Sequence, residues 1–143
     1  MIPVPLCAQD QAKLPSYAYE GDAGADLFAS CDIELKPFER ALVPTGVSMA
    51  IPQGYAGFVL PRSGLAIKQG LSLVNSPGLI DSSYRGEVQV IAINLDRNES
   101  IPIHKGDRIA QLVIMKVEDA VFPVVDGLDD TKRGFGGFGS SGS

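Results

Sequence analysis

A short stretch near the middle of the chain combines a carboxylate, two hydroxyls and an aromatic ring. Asp81 follows two bulky apolar residues and precedes Ser82, Ser83 and Tyr84. Serine favours a turn because its hydroxyl can bond nearby backbone groups. A carboxylate and a flat ring on one tight hairpin could hold a planar ligand beside a base, whereas the plainer interpretation is an acidic surface turn. On this stretch alone both interpretations stay open.

A second segment places a cation, a hydroxyl and a glycine where a strand is expected to give way to a helix. The residues are Arg62, Ser63 and Gly64. Free backbone N–H groups at a helix N-terminus attract anions, glycine allows close approach, and arginine adds charge-assisted hydrogen bonds. The segment is therefore a candidate phosphate cradle, although an N-cap serine beside a solvated arginine would have the same sequence.

Two further segments carry polar groups suited to a phosphate or its metal ion. Asp22 and Asp26 lie among small residues. Because Mg²⁺ prefers oxygen ligands and keeps several waters, one carboxylate could steer it through water, and solvated loop acids are the alternative. Gln111 lies in an extended run, where alternation places it on the face opposite Arg108. Asp107 and Arg108 could form an ion pair.

The chain ends in a glycine-rich stretch with an arginine and two phenylalanines. From residue 126 to 143 the apolar alternation is lost, so we expect a mobile arm after a body of residues 1–125. Phe135 and Phe138 are unexpected on a spacer, which usually contains only glycine and serine. A ring that stacks on a planar base, with Arg133 reaching a terminal phosphate, would order such an arm when ligand binds.

The rest of the chain must position these groups, and its pattern is that of short strands. Pro and Gly recur between alternating apolar runs, which predicts an all-β sandwich or barrel. Residues 63–69 are the exception and predict one or two helical turns that end at Gly70. The predicted strands are Ile33–Leu35, Ala41–Val43, Val47–Ile51, Ala56–Leu60, Leu71–Val74, Val88–Leu95, Ile101–Ile103 and Arg108–Ile114.

Composition narrows the classes of function. The 143 residues, 45% hydrophobic and 20% charged, are typical of one globular domain. The formal net charge of -5 opposes binding to nucleic acid or to an anionic membrane. There is neither an apolar run long enough to span a bilayer nor a signal-peptide pattern, so we expect a cytoplasmic protein with reduced Cys7 and Cys31. One histidine, His104, leaves no transition-metal site.

Five segments, taken together and in order, resemble the motifs of the homotrimeric dUTPase family. They are Ala23–Leu27, Pro61–Ala66, Gly78–Glu87, Gly106–Leu112 and Arg133–Gly142. The resemblance implies a jelly-roll-like distorted β-barrel. It also implies hydrolysis of dUTP to dUMP and diphosphate with Mg²⁺ on the triphosphate. The active sites of such a homotrimer draw residues from all three subunits.

The resemblance further implies roles for individual residues. Asp81 would hold the attacking water and act as general base, and Tyr84 would pack on the deoxyribose and exclude a 2′-hydroxyl. Asp26 would orient a metal-bound water, Arg133 would meet the γ-phosphate, and Phe138 would stack on uracil. The α and β phosphates would be held by Arg62, Ser63, Gly64 and Gln111. Uracil would be read by Asn75 and by the backbone of the hairpin, which includes Gly78, Leu79, Ile80 and Gln89.

Two alternatives stay open from the sequence. A dCTP deaminase shares the fold and a similar Asp-bearing hairpin, but it needs a glutamate on the next strand, where Ile91 stands in this chain. A regulatory module that binds nucleotide without turnover is the second alternative. The presence of Asp81, Tyr84 and the complete glycine-rich arm argues against it.

Overall fold

The computed structural model describes residues 1–137, and strands account for nearly all of its regular structure. One helix, α1, spans Ser63–Gln69. The ten strands of the described residues are β1 Leu6–Ala8, β2 Ala25–Phe28, β3 Ile33–Leu35, β4 Arg40–Met49, β5 Tyr55–Leu60, β6 Leu71–Leu73, β7 Gly78–Ile80, β8 Glu87–Asn94, β9 Ile101–Ile103 and β10 Arg108–Lys116.

The strands form two four-stranded antiparallel sheets and one short strand pair. The first sheet has the order β1-β4-β8-β6, the second has the order β2-β10-β5-β7, and β3 pairs with β9. One apolar cluster takes residues from both sheets, such as Val43 and Val90 from the first and Leu27 and Ile109 from the second. The sheets therefore pack face to face around a common core, and the predicted all-β, jelly-roll-like fold is confirmed.

Alternation along the strands determines which side chains reach the core. In β8, Val88 and Val90 are buried while Gln89 is exposed, as a half-buried strand requires. The predicted helix is confirmed at both ends, and Gly70 stops it with a φ of 70° and an N–H bonded to Ala66 O. Its N-cap, however, is Arg62 without a side-chain cap, so the N-cap assignment of Ser63 is wrong.

The differences from the predicted strands lie at an irregular site and in short strands. The two strands expected on either side of Pro44 are one strand, β4, that contains a bulge between Pro44 and Ser48. Alternation is interrupted at such a bulge, so one strand looks like two in the sequence. The three- and four-residue strands β1, β2 and β7 were not predicted because so few residues carry little pattern.

The described residues after β10, 117–137, form no helix or strand. Residues 117–135 are all exposed. The predicted boundary at residue 125 falls inside this stretch and stays a prediction. Within residues 1–137 no helix has the length and apolar character needed to cross a membrane.

Candidate active site

The stretch that carries Asp81 connects the two sheets instead of forming a closed hairpin. Strand β7 pairs with β5, whereas β8 pairs with β4 and, over its last three residues, with β6. No ladder joins β7 to β8 in the part of the chain that the structure describes. The expectation of a tight hairpin is therefore wrong, because each strand is recruited by a different sheet. The two strands diverge and leave a cleft between them.

This cleft brings together most of the residues predicted to handle the nucleoside. It has a volume of about 230 Å³, and a smaller cavity of about 60 Å³ continues between the two strands. Because the facing strand edges have no strand partner, their backbone donors and acceptors are available to the edge of a planar base. The predicted residues that line the two spaces are Asn75, Gly78, Leu79, Ile80, Asp81, Tyr84 and Gln89.

The turn at the mouth of the cleft is held by its own hydrogen bonds. Tyr84 N–H donates to Asp81 O at 3.1 Å, and the Tyr84 hydroxyl donates to Glu87 O at 2.9 Å. The ring lies so close to Gly86 that a β-carbon there would overlap the Tyr84 hydroxyl. Arg85 Nη1 donates to Ser82 O at 2.7 Å. The turn thus holds Tyr84 and Asp81 together in the lining of the cleft.

A second cavity, of about 340 Å³, collects the groups predicted to hold phosphate. Arg62 and Gln111 contribute their side chains, and Gln111 Nε2 also donates to Pro61 O at 3.0 Å. Gly24 packs closely on Gln111, because a β-carbon there would come within 2.9 Å of Gln111 Oε1 and would require the amide to shift. The lining residues are Ala18, Tyr19, Asp22, Ala23, Gly24, Asp26, Arg62, Ser63, Gly64 and Gln111. We call this space the anion pocket.

Asp26 occupies the centre of a three-residue charge network in the anion pocket. It is only 8% exposed and lies in strand β2, so the loop interpretation of this segment is wrong. One carboxylate oxygen accepts Arg62 Nε at 3.0 Å and the other accepts Arg108 Nε at 3.2 Å. A carboxylate shared by two arginines fixes both guanidinium groups. The structure therefore adds Arg108, for which the sequence predicted only an ion pair with Asp107, to the network behind the pocket.

The contact of Arg108 with Asp26 replaces the ion pair expected within one turn. Asp107 instead accepts the backbone N–H of His104 at 2.8 Å through its carboxylate. The β2–β10 register shifts between Arg108 and Ala110, so both Ile109 and Ala110 are buried. The expected strict alternation along this strand is wrong at that shift. The irregularity turns Arg108 toward the neighbouring strand, where Asp26 lies.

The described residues offer no metal-binding cluster of their own. No group of three His, Cys, Asp or Glu side chains comes together within residues 1–137. Each Asp26 oxygen bonds one arginine, but a carboxylate has about four lone-pair sites in all, so acceptor capacity remains for a water molecule. This donor set fits an Mg²⁺ ion that arrives on phosphate oxygens and keeps its waters.

The anion pocket and the cleft lie far apart on one chain. In the sheet register, Asp26 of β2 pairs with Gln111 of β10, which pairs with Leu60 of β5. Asp81 comes directly after Ile80 of β7, which pairs with Gly57 of β5. Three strand spacings across the sheet and about four residues along it place Asp26 and Asp81 roughly 20 Å apart. One phosphorus atom cannot be within hydrogen-bond reach of both groups. A single chain therefore presents two separated halves of a site.

Of the two predicted residues of the glycine-rich arm, Arg133 lies within the described residues and is not part of either half. Arg133 is exposed, bonds Gly136 O through Nε at 2.8 Å, and lines neither cavity within residues 1–137. Phe138, predicted to stack on the base, lies outside the described residues. A larger cavity of about 430 Å³ between α1 and β9 contains none of the predicted site residues.

Comparison with known proteins shows the family of the chain. A family model described as dUTPase matches residues 10–142. The chain belongs to the dUTPase family. It is 55% identical over 141 residues to the deoxyuridine 5'-triphosphate nucleotidohydrolase of Leifsonia xyli subsp. xyli, covering 99% of this chain and 91% of that protein. It is 57% identical over 129 residues to that of Streptomyces avermitilis, covering 90% and 74%.

Solved dUTPase structures share the fold of this chain. A mutant Staphylococcus bacteriophage 80alpha dUTPase with dUpNHpp has a TM-score of 0.92 at 29% identity and covers 100% of both chains. A mutant dUTPase from phage phi11 of S. aureus, described as showing the coordination of a structural Mg(II) ion, has a TM-score of 0.82 at 25% identity. That match covers 90% of this chain and 100% of the phage chain.

Proposed function

We propose that this member of the dUTPase family hydrolyses dUTP to dUMP and diphosphate. The observation that carries the proposal is the cleft between β7 and β8, where unpaired strand edges adjoin Asp81 and Tyr84. The nucleotidohydrolases similar to it, and a phage dUTPase with dUpNHpp, support the same substrate. In the cytoplasm such turnover would limit uracil incorporation into DNA and supply dUMP for dTMP synthesis.

Asp81 is the group that we assign to activate water. Its carboxylate is exposed on the rim of the cleft, so it can bond a water molecule directly. The water oxygen forms a bond to the α-phosphorus, the bond from that phosphorus to the oxygen bridging the β-phosphate breaks, and Asp81 accepts the water proton. This general-base role requires hydrogen-bond reach between Asp81 and the water.

Uracil and deoxyribose recognition is assigned to the strand edges and the Tyr84 ring. Backbone groups of Leu79 and Ile80, with the Asn75 and Gln89 side chains, would pair with the uracil edge. Cytosine would leave its amino group mismatched there, and unpaired buried polar groups make such discrimination large. The ring of Tyr84 would pack on the deoxyribose and leave no space for a 2′-hydroxyl.

The triphosphate is assigned to the anion pocket. Arg62 contacts Asp26 through Nε, and its other guanidinium N–H groups would make charge-assisted bonds to phosphate oxygens. Ser63, Gly64 and Gln111 line the same space and would add neutral bonds to the α and β phosphates. From the glycine-rich arm, Arg133 would contact the γ-phosphate and Phe138 would cover the uracil ring.

Mg²⁺ is assigned to the bound triphosphate, with Asp26 contacting one of its waters. When bound, the ion supplies neutralisation of the phosphate charge that grows toward the transition state. The protein's own contribution is the acceptor capacity left on Asp26 between Arg62 and Arg108. Asp26 therefore has two proposed functions, to orient Arg62 and to accept a hydrogen bond from a metal-bound water.

We also propose a homotrimer in which different chains complete each site. The separation of roughly 20 Å between the cleft and the anion pocket supports this, because one α-phosphorus needs both. The exposed apolar side chains of the surface stretch after β10 support it too, since such a series is typical of an interaction surface. They are Val121, Phe122, Val124, Val125 and Leu128.

Subunit complementation tests the shared sites. Arg62→Gln and Asp81→Asn should each abolish most activity, and the two proteins are then denatured, mixed in equal amounts and refolded together. If each site takes Asp81 and Arg62 from different chains, random mixing restores roughly one quarter of the wild-type activity. The controls are the two variants refolded separately, and sedimentation reports the mass. Absence of restored activity in a trimeric mixture would contradict the sharing of sites.

Diphosphate release from dUTP, dCTP, dTTP and UTP with Mg²⁺ tests the reaction itself. We expect turnover of dUTP alone at a high rate. Release of ammonia from dCTP at a comparable rate would favour the deaminase alternative, but the place of its required glutamate is taken by Ile91, an apolar residue of the cleft lining. Tight dUTP binding without diphosphate release would instead favour the regulatory module.

A further inference from the structure

Glu87 connects the turn that carries Tyr84 to the neighbouring strand β4. Its carboxylate oxygen Oε1 accepts the backbone N–H of Gly46 at 2.7 Å. Gly46 lies in an irregular part of β4, residues 45–47, which we call the β4 bulge. The register passes from Pro44–Gln89 to Ser48–Glu87, which is four steps along β4 against two along β8. The bulge interrupts the ladder, and the Glu87 side chain supplies the acceptor for Gly46 N–H.

The β4 bulge is a fixed support for this bond. Gly46 has a φ of 73°, a conformation that favours glycine, and its carbonyl accepts Gln9 N–H at 2.8 Å. A β-carbon at Gly46 would come within 2.8 Å of the Ala12 side chain. Thr45, in the same bulge, donates from its hydroxyl to Val88 O at 2.6 Å. The backbone beneath Glu87 is therefore held from both sides.

The backbone of Glu87 continues the connection to the rim of the cleft. Its carbonyl accepts the Tyr84 hydroxyl at 2.9 Å, and Tyr84 N–H donates to Asp81 O at 3.1 Å. A continuous series of bonds thus runs from Gly46 through Glu87 and Tyr84 to Asp81. Tyr84 is 46% exposed, so packing alone holds its ring weakly. The position of the ring depends on where the Glu87 carbonyl is held.

We propose that Glu87 is a positioning residue for sugar discrimination. By anchoring the turn to Gly46, it holds the Tyr84 ring at the depth that leaves no room for a 2′-hydroxyl. The inference rests on the proposed function, because it assumes that the deoxyribose packs on Tyr84. A residue that sets the position of a contacting group can change discrimination strongly, since displacements of about 1 Å alter rates by up to about a hundredfold.

The test measures kcat/KM for dUTP and for UTP and uses their ratio as the readout. Glu87→Ala removes the anchor, and we expect the dUTP-to-UTP ratio to fall at least about tenfold. Glu87→Gln keeps an amide oxygen that can accept Gly46 N–H, so we expect its ratio within about threefold of wild type. Tyr84→Phe breaks the other end of the connection and should lower the ratio as Glu87→Ala does.

Thr45→Val is the matched structural control. It removes the hydrogen bond to Val88 O in the same bulge, so it should lower the Tm while leaving the dUTP-to-UTP ratio near wild type. This separates loss of stability from loss of positioning. The dUTP-to-UTP ratio should therefore fall in the Glu87→Ala and Tyr84→Phe variants, whether or not their Tm changes.

Three results would overturn the inference. The first is an unchanged ratio in folded Glu87→Ala, and the second is an equal fall in Thr45→Val. If Glu87→Ala does not fold, an unchanged ratio in Tyr84→Phe is the third. A wild-type protein that does not hydrolyse dUTP would instead refute the proposed function, which makes the two failures distinguishable.

Discussion

Replacing Asp26 by Asn should weaken both the fold and catalysis. The substitution keeps the size of the side chain but removes the charge shared by Arg62 and Arg108. The amide must also present its NH₂ group to one of two guanidinium groups, which carry only donors. Arg62 then loses the bond that fixes its Nε. We therefore expect the guanidinium group to leave the position from which it would meet phosphate.

The expected loss of stability can be estimated from the contacts of Asp26 with Arg62 and Arg108. A charge-assisted hydrogen bond contributes about 1.5–3 kcal/mol when buried. The Arg62 side chain is 30% exposed, so we assign about 1.5–2 kcal/mol to its bond after solvent screening. The Arg108 side chain is 53% exposed and is assigned about 0.5–1 kcal/mol. The free energy of unfolding should thus fall by about 2–3 kcal/mol, which lowers the Tm by about 6–12 °C.

Of the two bonds, only the one between Asp26 and Arg62 should affect catalysis. A loss of about 1.5–2 kcal/mol in the transition state lowers kcat/KM about 10- to 30-fold. Diphosphate release from dUTP measures this, and thermal unfolding at one protein concentration measures the Tm. Asp22→Asn is the matched control, because Asp22 lines the same pocket and, within residues 1–137, its carboxylate accepts only Tyr19 N–H, which an asparagine oxygen can also accept. It should change kcat/KM less than about threefold.

Two outcomes would refute this reasoning. If Asp26→Asn keeps kcat/KM within about threefold of wild type, the ion pair does not position Arg62 for catalysis. If Asp22→Asn loses as much activity, the charge of the pocket matters and the placement of Arg62 does not. Recovery of Asp26→Asn at high Mg²⁺ concentration would show that contact with a metal-bound water is its main function.

The remaining predictions concern Asp81 and the glycine-rich arm. Asp81→Asn should lower kcat by several orders of magnitude and largely keep the affinity for dUTP, because only the base is removed. Stopped-flow kinetics measures the turnover and calorimetry measures the binding. A wild-type kcat in the variant would contradict the general-base role. Deleting residues 133–143 should lower turnover strongly but leave the Tm within a few degrees, since residues 133–135 are exposed and a glycine-rich arm adds little to a core. Circular dichroism provides the control, and an unfolded truncation would show that the arm is structural.

Elements with an uninterrupted local pattern were predictable from the sequence. Val88 to Leu95 alternates over a whole strand, and the structure places β8 there within one residue at each end. Helix α1 was predicted at both ends because Gly70 permits the left-handed conformation that stops it. By contrast, β7 has only three residues and is defined by its pairing with β5, a partner that is distant in sequence. No local pattern carries that information.

The members of the candidate site were predictable by type, but their arrangement was not. The resemblance selected Asp26, Arg62 and Gln111 as separate motif residues, and the structure brings all three to one pocket. It did not select Arg108 or Glu87, whose contacts depend on irregular strand registers near residues 109 and 45–47. Those irregularities arise where two strands pair, so neither strand reveals them alone.

By itself, the sequence determined the chemical groups, the strand-rich fold and the family resemblance, because residue types, alternation and motif spacing are written along the chain. Only the tertiary structure decided that β7 and β8 diverge into two sheets, that Asp26 is buried between two arginines, and that Asp81 lies roughly 20 Å from it. The physical reason is that pairing, burial and separation are relations between residues distant in sequence. Strand partners from elsewhere in the chain determine them.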